Sequence, residues 1–150
     1  MASPLTLLMP VIPGTSIQTI AATLAQYQGS LDAALASIGT VHYARSLLLD
    51  ATTPNLQPGT ESAGKYLICI ITEYDGEFDK YIQDFVSQVG TIFDALLQFV
   101  VGGPQIIPVA NNVQAFDAFI TLNDASQHQP NTGLYQAYTA TVQEVLAALG

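Results

Sequence analysis

"KYLICIITEYDGEFDKYIQDF", residues 65–85, decides how the rest of the chain is read. Its first half, Tyr66 to Thr72, is a nearly continuous apolar run rich in isoleucine, as a strand covered on both faces would be. Its second half sets Phe78, Tyr81, Ile82 and Phe85 three or four residues apart, the spacing of one helical face. Between them "EYDGEF" (73–78) holds three of the chain's twelve acids in six positions. The stretch predicts a central strand, a sharp turn at Gly76 and a long amphipathic helix. The helical spacing runs on through Val89, Phe93, Leu96, Leu97 and Val100, with Gly90 as a candidate kink and Gly102 and Gly103 as stop signals.

Working outward, "TVHYARSLLLD" (40–50) alternates as a half-buried strand does. It predicts His42, Ala44, Ser46 and Leu48 on one face and Val41, Tyr43, Arg45, Leu47 and Leu49 on the other. This strand is expected beside the 66–72 strand, joined to it by 51–64, a polar connection with two prolines and two glycines that reads as a mobile loop. Upstream, "LTLLMPV" (5–11) reads as a strand ended by a turn. "TSIQTIAATLAQYQGSLDAALASIG" (15–39) reads as a helix with capping-box spacing at Thr15 and Gln18, weakened at Gly29 and stopped at Gly39. Downstream, Asn112 begins a short helix, 125–133 is a polar loop, "LYQAY" (134–138) is β-prone, and Thr141 and Glu144 have capping-box spacing before a final helix.

The order is β-α-β-β-α-β with an inserted helix and a C-terminal helix. That predicts an α+β fold of the ferredoxin-like type: one antiparallel sheet with helices on one face, in a single domain over 1–150. The other sheet face would be left open and apolar. Charged residues are 10% of the chain and apolar residues 49%, against about 25% charged in an average domain, so part of the surface is expected to be covered by a second subunit. Two sheets packed face to face as a dimeric α+β barrel homodimer would do this.

Twelve acids against Arg45, Lys65 and Lys80 give a net charge of -9. Such a field disfavours nucleic acid and anionic membrane surfaces, both of which are bound through cations. The apolar start, broken by Pro10 and Pro13, reads neither as a leader nor as a membrane span, and a cytoplasmic location is the expectation. The one cysteine, Cys69, lies inside "LICII" and is expected to be a buried thiol.

Two readings of Asp75 stand side by side. In one it caps the helix that follows, with Glu77 and Asp79 favoured by the helix dipole. In the other it is a general acid or base, with His42 or Arg45 of the adjacent strand as its partner. Because those two face opposite ways, Asp75 is not expected to have both. His42 itself reads as a core or interface histidine, and His128 as solvated. No metal-ligand pattern, phosphate loop or nucleophile elbow is present in the sequence.

"GTVHYARSLLLD", "LICIITEYDGEFDKYIQDF" and "LYQAYTATVQEV" together resemble a family of largely uncharacterised bacterial proteins, with a V-H-[FY]-A-R strand, a strand ending in [FY]-D-G before a helix, and a C-terminal Y-x-A-Y segment. The resemblance implies the ferredoxin-like, dimeric α+β barrel fold and brings no reaction with it. That superfamily also includes dye-decolorising peroxidases and chlorite-dismutase-like haem proteins, cofactor-free monooxygenases and small dimeric binding domains. In the peroxidases the aspartate of a GxxDG motif helps to cleave peroxide. "TEYDG" matches at Asp75 and Gly76, with Thr72 in place of the first glycine. The expectations that follow are a homodimeric domain holding a small apolar ligand or, as the alternative, an oxidoreductase of this superfamily. The alternative would use Asp75 as acid/base, Arg45 to stabilise negative charge, and His42 as proton carrier or haem ligand.

Overall fold

The computed structural model describes residues 1–51 and 65–150. All but one residue of the connection at 51–64 lies outside the described residues. The chain runs β1 (Ser3–Pro10), α1 (Ile17–Ile38), β2 (Val41–Asp50), β3 (Tyr66–Tyr74), α2 (Phe78–Leu97), α3 (Val113–Asn123) and α4 (Val142–Leu149). Short 3-10 turns lie at Val109–Asn111 and Ala125–Gln127. The result is a three-stranded antiparallel sheet with four helices, and the apolar run that opened the reading is its central strand, in the order β1-β3-β2. β1, α1 and β2 thus form a split βαβ unit with β3 inserted between its two parallel strands.

Registry sets the faces. Leu5, Leu7 and Met9 stand opposite Thr72, Ile70 and Ile68, and all six are buried. This face meets α2, which buries Tyr81, Ile82, Phe85, Val89, Ile92, Phe93, Leu96 and Leu97, and α3, which adds Phe116 and Ile120. An aromatic file runs through this core: Tyr74 stacks on Tyr81 with ring centroids 4.0 Å apart, and Phe85, Phe93 and Phe116 follow in tilted and edge-on contacts. The Tyr81 hydroxyl, 3.0 Å from Thr72 Oγ1, has its pKa pushed far up, by burial first. Each large side chain so buried contributes about 1.5–3 kcal/mol.

α1 is more peripheral. Only Ile20 is fully buried, while Leu24, Tyr27, Leu31, Leu35 and Ile38 pack partly against the core. Its cap is Ser16, one residue beyond the expected Thr15, with Ser16 Oγ accepting the N–H of Thr19. α2 runs without a break through Gly90, where a Cβ would lie 3.3 Å from Val109, so the glycine permits close packing of the 3-10 turn. The helix also stops at Leu97, short of the Gly102–Gly103 signal.

The expected strand at 134–138 does not form; those residues are irregular. The free edge of β1, where a fourth strand would add, is closed by side chains instead. Asp124 Oδ1 accepts the N–H of Thr6 at 2.9 Å, Ser126 Oγ lies 3.0 Å from the Pro4 carbonyl oxygen, and Gln136 exchanges two hydrogen bonds with the backbone of Ala2. Edge groups bonded in this way are not free to recruit a strand. Asp124 is 1% exposed, and its Oδ1 also accepts from the Ser126 N–H and hydroxyl while Oδ2 accepts from Gln127 Nε2.

α4 has the expected capping box between Thr141 and Glu144 and buries no residue. Among the described residues, no helix is long and apolar enough to cross a membrane.

Candidate functional site

Asp75 follows the last residue of β3, and its own N–H donates to the Thr40 carbonyl at 2.8 Å. The next residue, Gly76, has φ 96°, a conformation that side chains resist, so the chain turns there at little cost. This turn carries Asp75 away from α2. The N-cap of α2 is Glu77, with no side-chain cap bond, which corrects the expectation that Asp75 caps the following helix.

Its carboxylate is used in two other ways. Oδ1 lies 2.9 Å from His42 Nε2, and Oδ2 accepts the N–H of Val142, the first residue of α4, at 2.7 Å. The two side chains are 8% (His42) and 11% (Asp75) exposed. Burial pushes the Asp75 carboxyl up, but the Val142 N–H and the His42 contact outweigh it, so its pKa lies below the ordinary carboxylate value. An ionised carboxylate can only accept. His42 Nε2 is therefore the donor in this contact. Among the described residues, Nδ1 takes no hydrogen bond.

A β-bulge makes this pairing possible. Val41 pairs with Tyr74 and Tyr43 with Glu73, leaving His42 as the extra residue. Bulges re-aim side chains in this way. From Tyr43 onward the expected alternation holds, but the bulge turns Val41 to the core side, where it packs against the buried cluster. Arg45 stands opposite Ile71 and is exposed. The structure thus brings Asp75 and His42 together and leaves Arg45 apart, with no ion pair to an acid among the described residues.

His42 lines a cavity of about 360 Å³ together with Tyr43, Glu73, Leu134, Tyr135 and Tyr138. The Tyr138 ring centroid is 6.2 Å from that of His42, and the Tyr43 and Tyr138 hydroxyls are 3.4 Å apart. That hydrogen bond raises the pKa of Tyr138, so the phenol stays neutral well past neutral pH. The segment expected as a fourth strand is one wall of this cavity. Tyr135 and Tyr138, which the sequence reading placed in a strand, stand beside His42 as site residues.

A larger hollow of about 580 Å³ lies near Tyr74, Phe78, Asp124 and Ser126. Its buried carboxylate already has both oxygens occupied by protein donors. The smaller cavity is the better candidate because it borders His42, whose Nδ1 makes no hydrogen bond among the described residues. Cys69 offers no second nucleophile: it is 2% exposed, and burial, partly offset by Arg45, raises its pKa and keeps it a thiol.

The donor set does not fit a haem. The imidazole nitrogen farther from the backbone, Nε2, is the one committed to Asp75, which leaves only the nitrogen next to the main chain to reach an iron. His128, the other histidine, lies in the loop at the opposite end of the 3-10 turn Ala125–Gln127. Compared with known protein families, curated proteins and solved structures, the chain matches none.

Proposed function

We propose that the protein is a small-molecule-binding domain of the ferredoxin-like type, whose ligand is a compact, largely apolar organic molecule seated beside His42. The observation that carries this reading is the cavity of about 360 Å³ walled by tyrosines and by His42, whose ring is hydrogen-bonded to Asp75. Its volume falls in the lower part of the range of ligand pockets, and a mostly apolar wall with a few convergent polar groups is their usual make-up. His42 Nδ1 would accept one hydrogen bond from the ligand and so fix its orientation.

The test is a set of small neutral and cationic alkyl and aryl compounds added at millimolar concentration, followed by tyrosine-ring NMR. Shifts confined to Tyr43, Tyr135 and Tyr138 are expected. Shifts that map elsewhere, or none at all, would remove the reading.

A second reading is favoured by the 2.9 Å His42–Asp75 contact: acid–base catalysis, with Nδ1 of His42 taking a proton from a bound substrate and Asp75 holding the ring in place. Loss of turnover with retained binding in His42→Gln would support it. Unchanged turnover would end it.

We also propose that a second copy of the chain packs on the sheet face that carries Leu8, Leu47, Leu49, Leu67 and Ile71. These residues point away from the α2 side, as their register requires, and are only half-buried. The shortage of charge supports the same reading. Light scattering at micromolar concentration decides it: twice the chain mass of 15.9 kDa is expected, and the monomer mass would overturn it.

A further inference from the structure

We infer that the ligand of the His42 cavity carries an organic cation, an alkylammonium or methylated ammonium group. The inference rests on the cavity being a ligand site and adds the charge of what enters it. Three tyrosines line one hollow, and each is exposed: Tyr43 is 65% exposed, Tyr135 89% and Tyr138 47%. Three large aromatic side chains left uncovered around one cavity mark a place where a partner covers them. Aromatic faces attract cations through the ring quadrupole, and aromatic cages are how quaternary ammonium groups are held.

Tyrosines alone would also suit a neutral aromatic ligand. Glu73 decides between the two. It lines the same cavity, stands opposite Tyr43 in the β2–β3 ladder, and has no ion-pair partner among the described residues. Arg45, two residues along β2 from Tyr43, makes no ion pair with it. Behind His42 lies the ionised Asp75. Asp75 is held by His42 and the Val142 N–H, so Glu73 is the lining acid without an ion pair among the described residues, and the net charge of -9 adds a field of the same sign. An anionic ligand would meet repulsion from Glu73, while a cation meets attraction from it and from the rings. The tyrosines supply the apolar contact a methylated ammonium group needs, which a bare metal ion would not use.

Two matched probes test this on the full chain: (2-hydroxyethyl)trimethylammonium and its uncharged carbon isostere, 3,3-dimethylbutan-1-ol. The cation is expected to bind at least tenfold more tightly, with shifts at Tyr43, Tyr135 and Tyr138, and Glu73→Gln is expected to narrow that difference by weakening the cation and not the isostere. Equal binding of the two probes at these tyrosines would overturn the inference and leave the ligand-site reading standing. Absence of binding by both would overturn both. Should Glu73→Gln fail to fold, the comparison on the unmodified chain still decides, and weakening of cation binding by added sodium chloride provides an independent measure of the charge contribution.

Discussion

Asp75 accepts the backbone N–H of Val142 at 2.7 Å across 67 positions of sequence, so the acid at the end of the central strand serves the first turn of the last helix. The same carboxylate receives His42 on its other oxygen. One residue thereby joins β2, β3 and α4.

Removing it should cost stability in a pH-dependent way. Asp75→Ala leaves the Val142 N–H and His42 Nε2 without their acceptor, at about 1–3 kcal/mol by urea unfolding at neutral pH. Folding lowers the pKa of this carboxyl, so as the pH falls the unfolded chain takes up the proton first. The stabilisation is whole above the ordinary carboxylate pKa of about 3.9 and fades as pH drops through it toward the lower folded value. The difference between the wild type and Asp75→Ala is therefore expected to shrink below about pH 4. A difference that stays constant down to acid would show that the carboxylate charge plays no part.

The tautomer of His42 gives a second measurement. A carboxylate holds the proton on Nε2, whereas the amide of Asp75→Asn can donate to Nε2 and move the proton to Nδ1. Nitrogen-15 shifts of the imidazole are expected to show the Nε2–H form in the wild type and an increased Nδ1–H population in the variant. The same tautomer in both would mean that Asp75 does not set it.

Asp124 is the third test. Its oxygens take four donors, one of them the Thr6 N–H on the edge of β1. Asp124→Ala strands those donors in a buried place, and a loss of about 2–4 kcal/mol is expected. Hydrogen exchange at the Thr6 amide should accelerate more than at the central-strand amides. Uniform acceleration would point to global destabilisation without a local edge effect.

Two glycines are expected to respond in opposite directions. A Cβ at Gly103 would lie 2.0 Å from the Leu97 carbonyl oxygen, backbone that cannot move aside without disturbing the end of α2. Gly103→Ala should therefore destabilise by about 1–3 kcal/mol. At Gly29, inside α1, a Cβ meets nothing within 4 Å. Gly29→Ala should stabilise by about 0.5–1 kcal/mol, because alanine gives up less backbone freedom on forming the helix. Thermal unfolding of the two variants checks both signs.

How far the sequence carried the fold depends on the reach of the forces involved. The isoleucine run of β3, the spacing of α2 and the capping box at Thr141 are local patterns, and the structure has each of them. The fourth strand failed because pairing is not local. "LYQAY" has β-prone side chains, but Asp124, Ser126 and Gln136 occupy the start of the β1 edge instead. The sequence reading did not single out Asp124, although D-x-S before a polar turn is a visible signal for a self-bonding loop.

The His42–Asp75 contact was legible as one of two alternatives. Strict alternation along β2 could not show the bulge that turns Val41 inward and leaves His42 as the extra residue. The link from Asp75 to α4 spans 67 positions. Thr141 and Glu144 announce a helix start there, but nothing local says which residue will sit against it.

That link has a kinetic consequence. α4 buries no residue, with Leu146 57% and Leu149 80% exposed, and its ties to the rest of the chain include the Asp75 bond and the one from Gln143 Nε2 to the Gly39 carbonyl. A helix fastened by polar contacts can unclasp while the core stays folded, at a small part of the global unfolding free energy. Its amides are then the first of the helical set to exchange. Each opening also takes away one of the two donors that hold the Asp75 carboxylate in place, so breathing of the last helix reaches the His42–Asp75 contact.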